Sequence, residues 1–70
     1  MEIPDEKDIR RRRMDLGVSQ KEMAKECGIS VPALNQYEKG KQALSHEKWV
    51  ILVKTIDRLE SEKISIQRKH

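Results

Sequence analysis

The residues best suited to chemistry lie on one side of a short predicted helix that runs from Val31 to Lys39. Asn35 and Gln36 carry amides, which can donate and accept hydrogen bonds at the edge of a base. Val31 and Pro32 add apolar surface that can pack on a thymine methyl group, and Lys39 adds a positive charge. This face carries no carboxylate, so its chemistry suits the recognition of a nucleic-acid groove.

Other reactive groups form no catalytic or metal-binding pattern. Cys27 has no base beside it in the sequence, and a cysteine at a core position usually behaves as a small hydrophobe. The two histidines lack flanking ligands at metal-binding spacing. Asp57, Glu60 and Glu62 are expected on an exposed face of one predicted helix, where no pocket for acid–base catalysis can form. We therefore expect no enzyme, no catalytic residue, no cofactor and no metal.

Two short helices joined by a tight turn position the amide side chains. Ser19 and Glu22 have the spacing of a capping box, which begins the first of these two motif helices, and Gly28 ends that helix. Ser30 is the expected N-cap of the second helix, which Gly40 closes. A helix, a turn containing glycine and a second helix form the helix-turn-helix plan, in which the second helix enters the DNA major groove.

The stretch from Leu16 to Lys41 resembles the XRE family of phage Cro and repressor DNA-binding domains. The positions that carry this resemblance are Gln20, Ala24, Gly28, Leu34, Tyr37, Glu38 and Gly40. The similarity extends from about Ile9 to Ile56. It implies an all-α fold, a compact bundle of four to five helices of the lambda-repressor-like type, with the helix-turn-helix motif at helices 2 and 3.

The outward face of helix 3 and the resemblance together predict the contacts with DNA. The residues expected to read bases are Val31, Pro32, Asn35 and Gln36. The residues expected to hold phosphates are Arg10, Gln20, Ser30 and Lys39, together with the backbone amides near Gly40 and Lys41. Phosphate contacts fix the register on the duplex, whereas the base contacts read the sequence.

The first predicted helix has Asp5 as its N-cap and ends at Gly17. Its predicted inward face consists of Ile9, Met14 and Leu16 with the stem of Arg13. By resemblance, Arg13 forms a structural ion pair with Glu38 that ties helix 1 to the end of helix 3. The arginines from Arg10 to Arg13 point in different directions around a helix. A solvated basic face is therefore one interpretation of Arg11 and Arg12, and contact with a ligand is the other.

The spacing of apolar residues in the C-terminal part of the chain predicts one long amphipathic helix with Ser45 as its N-cap. Its apolar stripe consists of Trp49, Leu52, Val53, Ile56 and Leu59. No glycine or proline interrupts residues 57–63, so this helix can continue, although the alternation in residues 64–67 also suits a short strand arm. We expect Leu59, Ile64 and Ile66 to lack intrachain partners and to form a dimer contact, which makes residues 57–70 a dimerisation extension.

Composition limits the class of protein. The 70 residues carry a formal net charge of +3, which suits a polyanionic partner, and one cysteine permits no internal disulfide. No apolar run is long enough for a membrane span or a secretory signal. We therefore expect a single domain over residues 1–70 in the cytoplasm, associated with the nucleoid and without a membrane partner.

These observations predict a sequence-specific regulator of transcription that binds double-stranded DNA as a homodimer, acting as a repressor. Two copies would place their recognition helices one DNA turn apart, roughly 34 Å, on an inverted repeat. The alternative is a protein-interaction module, such as an antitoxin or antirepressor, whose main partner is a second regulatory protein. The absence of acidic residues from the outward face of helix 3 favours DNA.

Overall fold

Four helices make up the part of the chain that the computed structural model describes, which is residues 5–68 for the backbone and 5–63 for the side chains. The helices are α1 (Glu6–Asp15), α2 (Gln20–Cys27), α3 (Val31–Glu38) and α4 (His46–Arg68). The predicted all-α fold is confirmed, with four helices in residues 5–68. The strand alternative for residues 64–67 is wrong, because the run without glycine or proline continues α4.

Each helix begins at the side-chain cap that the sequence predicts. The caps of α1 to α4 are Asp5, Ser19, Ser30 and Ser45, and each accepts a hydrogen bond from a backbone N–H three residues later. The capping box of α2 is complete, because the Glu22 carboxylate also accepts from the Ser19 backbone N–H. These local bonds satisfy N–H groups that a helix cannot pair internally, and they fix where each helix starts.

Glycine makes the turn of the motif and the end of α3. Gly28 adopts a φ of +68° at the end of α2, and Gly40 adopts +73° after α3. Beyond α3, the Gly40 N–H donates to the Tyr37 carbonyl and the Lys41 N–H donates to the Gln36 carbonyl. This pair of bonds is a Schellman motif, which needs the left-handed conformation that glycine adopts without strain.

The core lies where α3 and α4 each pack against α1 and α2. Its buried members are Ile9, Met23, Ala24, Cys27, Leu34, Tyr37, Leu52 and Ile56. Trp49 and Leu59 pack against this cluster as half-buried side chains. The expectation that Leu59 has no intrachain partner is therefore wrong, because it lies one turn beyond Ile56 on the face that α4 turns to the core.

The predicted inward position of Met14 is also wrong, because 53% of this residue is exposed. Ile9 and Arg13 are four residues apart and occupy the buried face of α1. Position 14 is rotated by roughly 140° from position 9 around a helix, so it points away from that face. Leu16 follows the last helical residue and packs against the core in part, as predicted.

Ionic contacts hold α4 against α1. The Arg12 guanidinium donates to Glu60 from Nε at 3.0 Å and to Asp57 from Nη2 at 2.6 Å. The hydrogen bond to Glu60 is the main reason that the pKa of Arg12 lies above its ordinary value. Further along α4, the Lys63 ammonium donates to the Asp15 carbonyl at 3.0 Å, where the C-terminal end of the α1 dipole favours a cation.

At the start of α4, the His46 ring stacks on the Trp49 ring, with the two ring centroids 6.2 Å apart. Among the described residues, no helix is both long enough and apolar enough to cross a bilayer.

Leu52→Ala should lower the free energy of unfolding by about 2–5 kcal/mol, because it opens a cavity at a fully buried position. Met14→Ala removes a side chain of comparable size from an exposed position. It should change the free energy of unfolding by less than about 0.5 kcal/mol. Chemical denaturation followed by circular dichroism measures both values. Equal losses in the two variants would contradict the assignment of Met14 to the surface.

Candidate nucleic-acid interface

A groove of about 680 Å³ opens between α1, the start of α2 and α3. We call it the basic groove, and its lining consists of Lys7, Arg10, Arg13, Met14, Gln20, Asn35, Glu38 and Lys39. Four of the residues that the sequence assigns to DNA contact therefore lie together here, namely Arg10, Gln20, Asn35 and Lys39. The groove joins the end of α3 to α1, so one ligand could touch both helices.

The basic groove has an excess of uncompensated positive charge. Among the described residues that line the groove, Glu38 is the only carboxylate, and Arg13 neutralises it. Lys7, Arg10 and Lys39 form no ion pair with any residue whose side chain the structure describes. Three cations around one concave surface attract a polyanion, because neutralising its charge releases condensed counterions.

The Arg13–Glu38 pair forms the floor of the groove. Arg13 donates to Glu38 from Nε at 2.7 Å and from Nη2 at 3.0 Å, a bidentate geometry. Its remaining terminal nitrogen donates to the Val18 carbonyl at 2.7 Å. The side chains of Arg13 and Glu38 are only 10% and 1% exposed, so the pair is structural and leaves little of the guanidinium for DNA.

Gln20 and Asn35 continue the contacts from this floor toward the surface. The Gln20 amide nitrogen donates to a Glu38 carboxylate oxygen at 2.9 Å. The Gln20 carbonyl oxygen accepts from the Asn35 amide nitrogen at 3.2 Å. Both ends of the Gln20 amide are therefore engaged within the protein, although the resemblance implies that this residue holds a phosphate.

The outward face of α3 presents the other predicted base readers beside the groove. Val31 is 39% exposed, Pro32 is exposed, and Gln36 is half-buried one turn after Pro32. The Ser30 hydroxyl accepts from the Ala33 N–H at 3.2 Å, which leaves its own hydrogen free to donate to a phosphate. This side of α3 thus offers amide, hydroxyl and apolar groups to a ligand.

The backbone N–H groups of Gly40 and Lys41 are not free to bind a phosphate in this structure. They complete the Schellman motif of α3, at 2.9 Å and 3.0 Å from their acceptors. The exposed Lys41 side chain is the group that remains available at this end of α3.

Sequence reasoning missed two residues on α1. Lys7 lines the basic groove, and its spacing of three residues from Arg10 was the signal that places both on one helix face. For Arg12, the sequence left two interpretations open, a solvated face and a contact with a ligand. In the structure its side chain is 20% exposed and forms ion pairs with α4. No local pattern indicates that pairing, because the partners lie 45 and 48 residues away.

The alternative chemistries find no assembled site among residues 5–63. Burial raises the pKa of the Cys27 thiol, which is 3% exposed and so suited to packing rather than to nucleophilic attack. No group of three or more His, Cys, Asp or Glu side chains in this part of the chain converges on a metal position.

A comparison with protein families matches a Helix-turn-helix family model to residues 9–64. The chain belongs to the XRE-type helix-turn-helix family. The match includes all of α2 and α3 and most of α1 and α4. No curated protein and no solved structure matches the chain significantly. This XRE-type domain is thus a DNA-binding regulator of transcription, and its motif helices are α2 and α3.

Arg13→Ala should lower the free energy of unfolding of the XRE-type domain by about 3–5 kcal/mol, because Glu38 would stay buried without its partner. Arg11→Ala is the matched control, since Arg11 is exposed and its one ion-pair partner within residues 5–63 is Asp8 on the same helix. Thermal melting of the two variants gives the comparison. Similar melting temperatures would show that the Arg13–Glu38 contact contributes no more than a surface pair.

Proposed function

We propose that this protein is a dimeric repressor that binds an inverted-repeat operator and reads it with α3 in the major groove. The observation that carries the proposal is the basic groove, whose three cations have no ion-pair partner among the described side chains and adjoin the amide-bearing face of α3. Cations on α1 and α3 suit two phosphates that flank one stretch of major groove. The exposed amides and apolar groups between them suit base edges.

Phosphate contacts in this proposal come from Arg10, Lys39, Ser30 and Lys41, with Lys7 added from α1. Base contacts come from Gln36, Asn35, Val31 and Pro32. Gln36 has the reach for a bidentate contact with adenine, and Val31 or Pro32 can pack on a neighbouring thymine methyl. A protein partner in place of DNA is the alternative, and the excess of cations in the groove weighs against it.

The dimer contact is proposed at the end of α4. The helix continues to Arg68, well beyond Ile56, which is the last fully buried position up to residue 63, where the description of side chains ends. Because Leu59 packs against the core of its own chain, the proposed contact with a second copy falls to Ile64 and Ile66, whose side chains lie outside the described residues. Positions 64 and 66 lie roughly 200° apart around a helix, so a helical contact would be centred on one of them.

Gln36→Ala should weaken binding to the selected DNA site by about 1–3 kcal/mol and relax the preference at one base pair per half-site. The site itself comes from sequencing duplexes that the wild-type protein selects from a random pool. Affinity for unrelated DNA should barely change, because phosphate contacts dominate it. An equal loss on selected and unrelated DNA would show that Gln36 does not read a base.

Removal of residues 64–70 should convert the dimer to a monomer while keeping Lys63 and every contact described above. Sedimentation equilibrium measures the mass at a concentration where the full chain is dimeric. DNA affinity should fall steeply with the loss of the linked second half-site, and the salt dependence should drop to about half.

Ile66→Ser and Ile64→Ser form the matched pair for this test. Because the two positions lie on nearly opposite sides of a helix, we expect one substitution to weaken the dimer clearly more than the other. An unchanged mass for the truncated chain would reject the tail as the dimer contact.

A further inference from the structure

A second groove, of about 280 Å³, opens between α2 and α4. We call it the α2–α4 groove, and its lining consists of Val18, Glu22, Lys25, Glu26 and Leu59. Among the described residues, it shares no lining residue with the basic groove. Val18 and Leu59 are half-buried and pack against the core, whereas the three charged residues are exposed. The groove therefore has an apolar floor and a charged rim, and the proposed DNA contacts lie outside it.

The rim of the α2–α4 groove carries more negative than positive charge. Among the described residues that line it, Lys25 is the one cation, against the carboxylates of Glu22 and Glu26. Arg58 lies nearby on α4, but its guanidinium contacts both Glu26 at 3.5 Å and Glu62 at 3.1 Å, so one cation serves two carboxylates. An apolar side chain followed by cations fits this groove, because the first covers the floor and the second complement the rim.

The end of α4 has this chemistry. Residues 64–70 contain two isoleucines followed by Arg68 and Lys69, and they contain no acidic side chain. α4 continues nine residues beyond Leu59 to Arg68, about 14 Å along the helix axis. Because the helix is continuous through Leu59, which itself lines the groove, its end cannot fold back into the groove of its own chain. The groove that this end can enter belongs to a second copy.

The charges along α4 favour an antiparallel contact between two copies. Residues 57–62 carry three carboxylates and one arginine, whereas residues 64–70 carry an arginine and a lysine. Parallel helices would align the two acidic stretches with each other. Antiparallel helices align the acidic stretch of each copy with the basic end of the other, which is attractive. A two-fold axis perpendicular to the helices gives this arrangement and makes every contact occur twice.

We infer that the α2–α4 groove receives the end of α4 from a second copy, with Ile66 on the apolar floor and Arg68 and Lys69 at the acidic rim. Positions 59 and 66 are seven residues apart and lie on one side of a helix. A two-fold axis midway between them places position 66 of each copy opposite position 59 of the other. Position 68 then lies opposite position 57, next to the place where Arg58 meets Glu26. This inference rests on the proposed dimer and adds the surface that receives the tail.

Reversal of charge tests the inference without DNA. Glu26→Lys should weaken self-association by roughly tenfold, because the two-fold axis places a repulsive contact at two sites. The tail variant Arg68→Glu/Lys69→Glu should weaken it by a similar factor for the same reason. Combining the three substitutions in one chain should restore the dimer, since each reversed rim then meets a reversed tail. Sedimentation equilibrium on the full chain gives the dimer dissociation constant of each variant.

Glu47→Lys is the matched control, since Glu47 is also an exposed carboxylate but lies in the first turn of α4, at the opposite end of the helix. Alone it should leave the dissociation constant unchanged, and combined with the tail variant it should restore nothing. The apolar part of the contact has its own test. Ile66→Ser should weaken the dimer more than Ile64→Ser does, because position 64 lies on the other side of the helix from position 66.

The outcomes separate the inference from the proposed function. A full chain that sediments as a monomer at every concentration would overturn the proposed dimer itself. A dimer that Glu26→Lys leaves unchanged, but that removal of residues 64–70 dissociates, would overturn only the inference, because the tail would then bind another surface. A combined variant no tighter than the tail variant would also overturn it, and so would a larger effect of Ile64→Ser than of Ile66→Ser.

Discussion

The structure depends on one buried ion pair. Arg13 and Glu38 come from α1 and α3, and removing their charges from water is favourable only when every polar atom finds a partner. The bidentate contact, the bond from Arg13 to the Val18 carbonyl and the bond from Gln20 to Glu38 meet that condition. These bonds fix α1, the start of α2 and α3 relative to one another. By fixing these three helices, the bonds also determine the shape of the basic groove above the pair.

The different partners of the four arginines in α1 explain how a chain of modest net charge presents a basic surface. The arginine run of α1 divides among separate tasks: Arg13 is buried, Arg12 binds α4, Arg11 binds Asp8, and Arg10 lines the groove. Most of the acidic partners in these contacts are thereby neutralised away from the groove. The uncompensated charge that remains there is positive, which a net charge of +3 does not reveal.

α4 serves the domain in two ways along its length. Its first half supplies Leu52 and Ile56 to the core, where they are fully buried. Its second half is held to α1 through Arg12 and Lys63, so the helix remains attached after its fully buried residues end. In a domain of this size, which buries a limited share of its surface, such polar contacts complement a small core.

Local sequence determined where the helices begin and the turns fall. The caps at Asp5, Ser19, Ser30 and Ser45 and the glycines of the turns act on neighbouring backbone groups, so spacing alone revealed them. Periodicity likewise identified the buried face of α4. The caps and glycines also indicated the motif, and the face of α3 that we propose to read bases lies opposite the buried side of that helix.

Tertiary structure decided which polar groups are left for a ligand. Whether Arg12 meets solvent or α4, whether Met14 lies inside, and whether the Gln20 amide is free all depend on residues distant in the chain. Packing also fixed the rotation of α1 about its axis. Because Arg13 occupies the buried position, the neighbouring Met14 faces the solvent. A side chain's spacing sets its direction around a helix, but its partners are set by what the fold brings across from it.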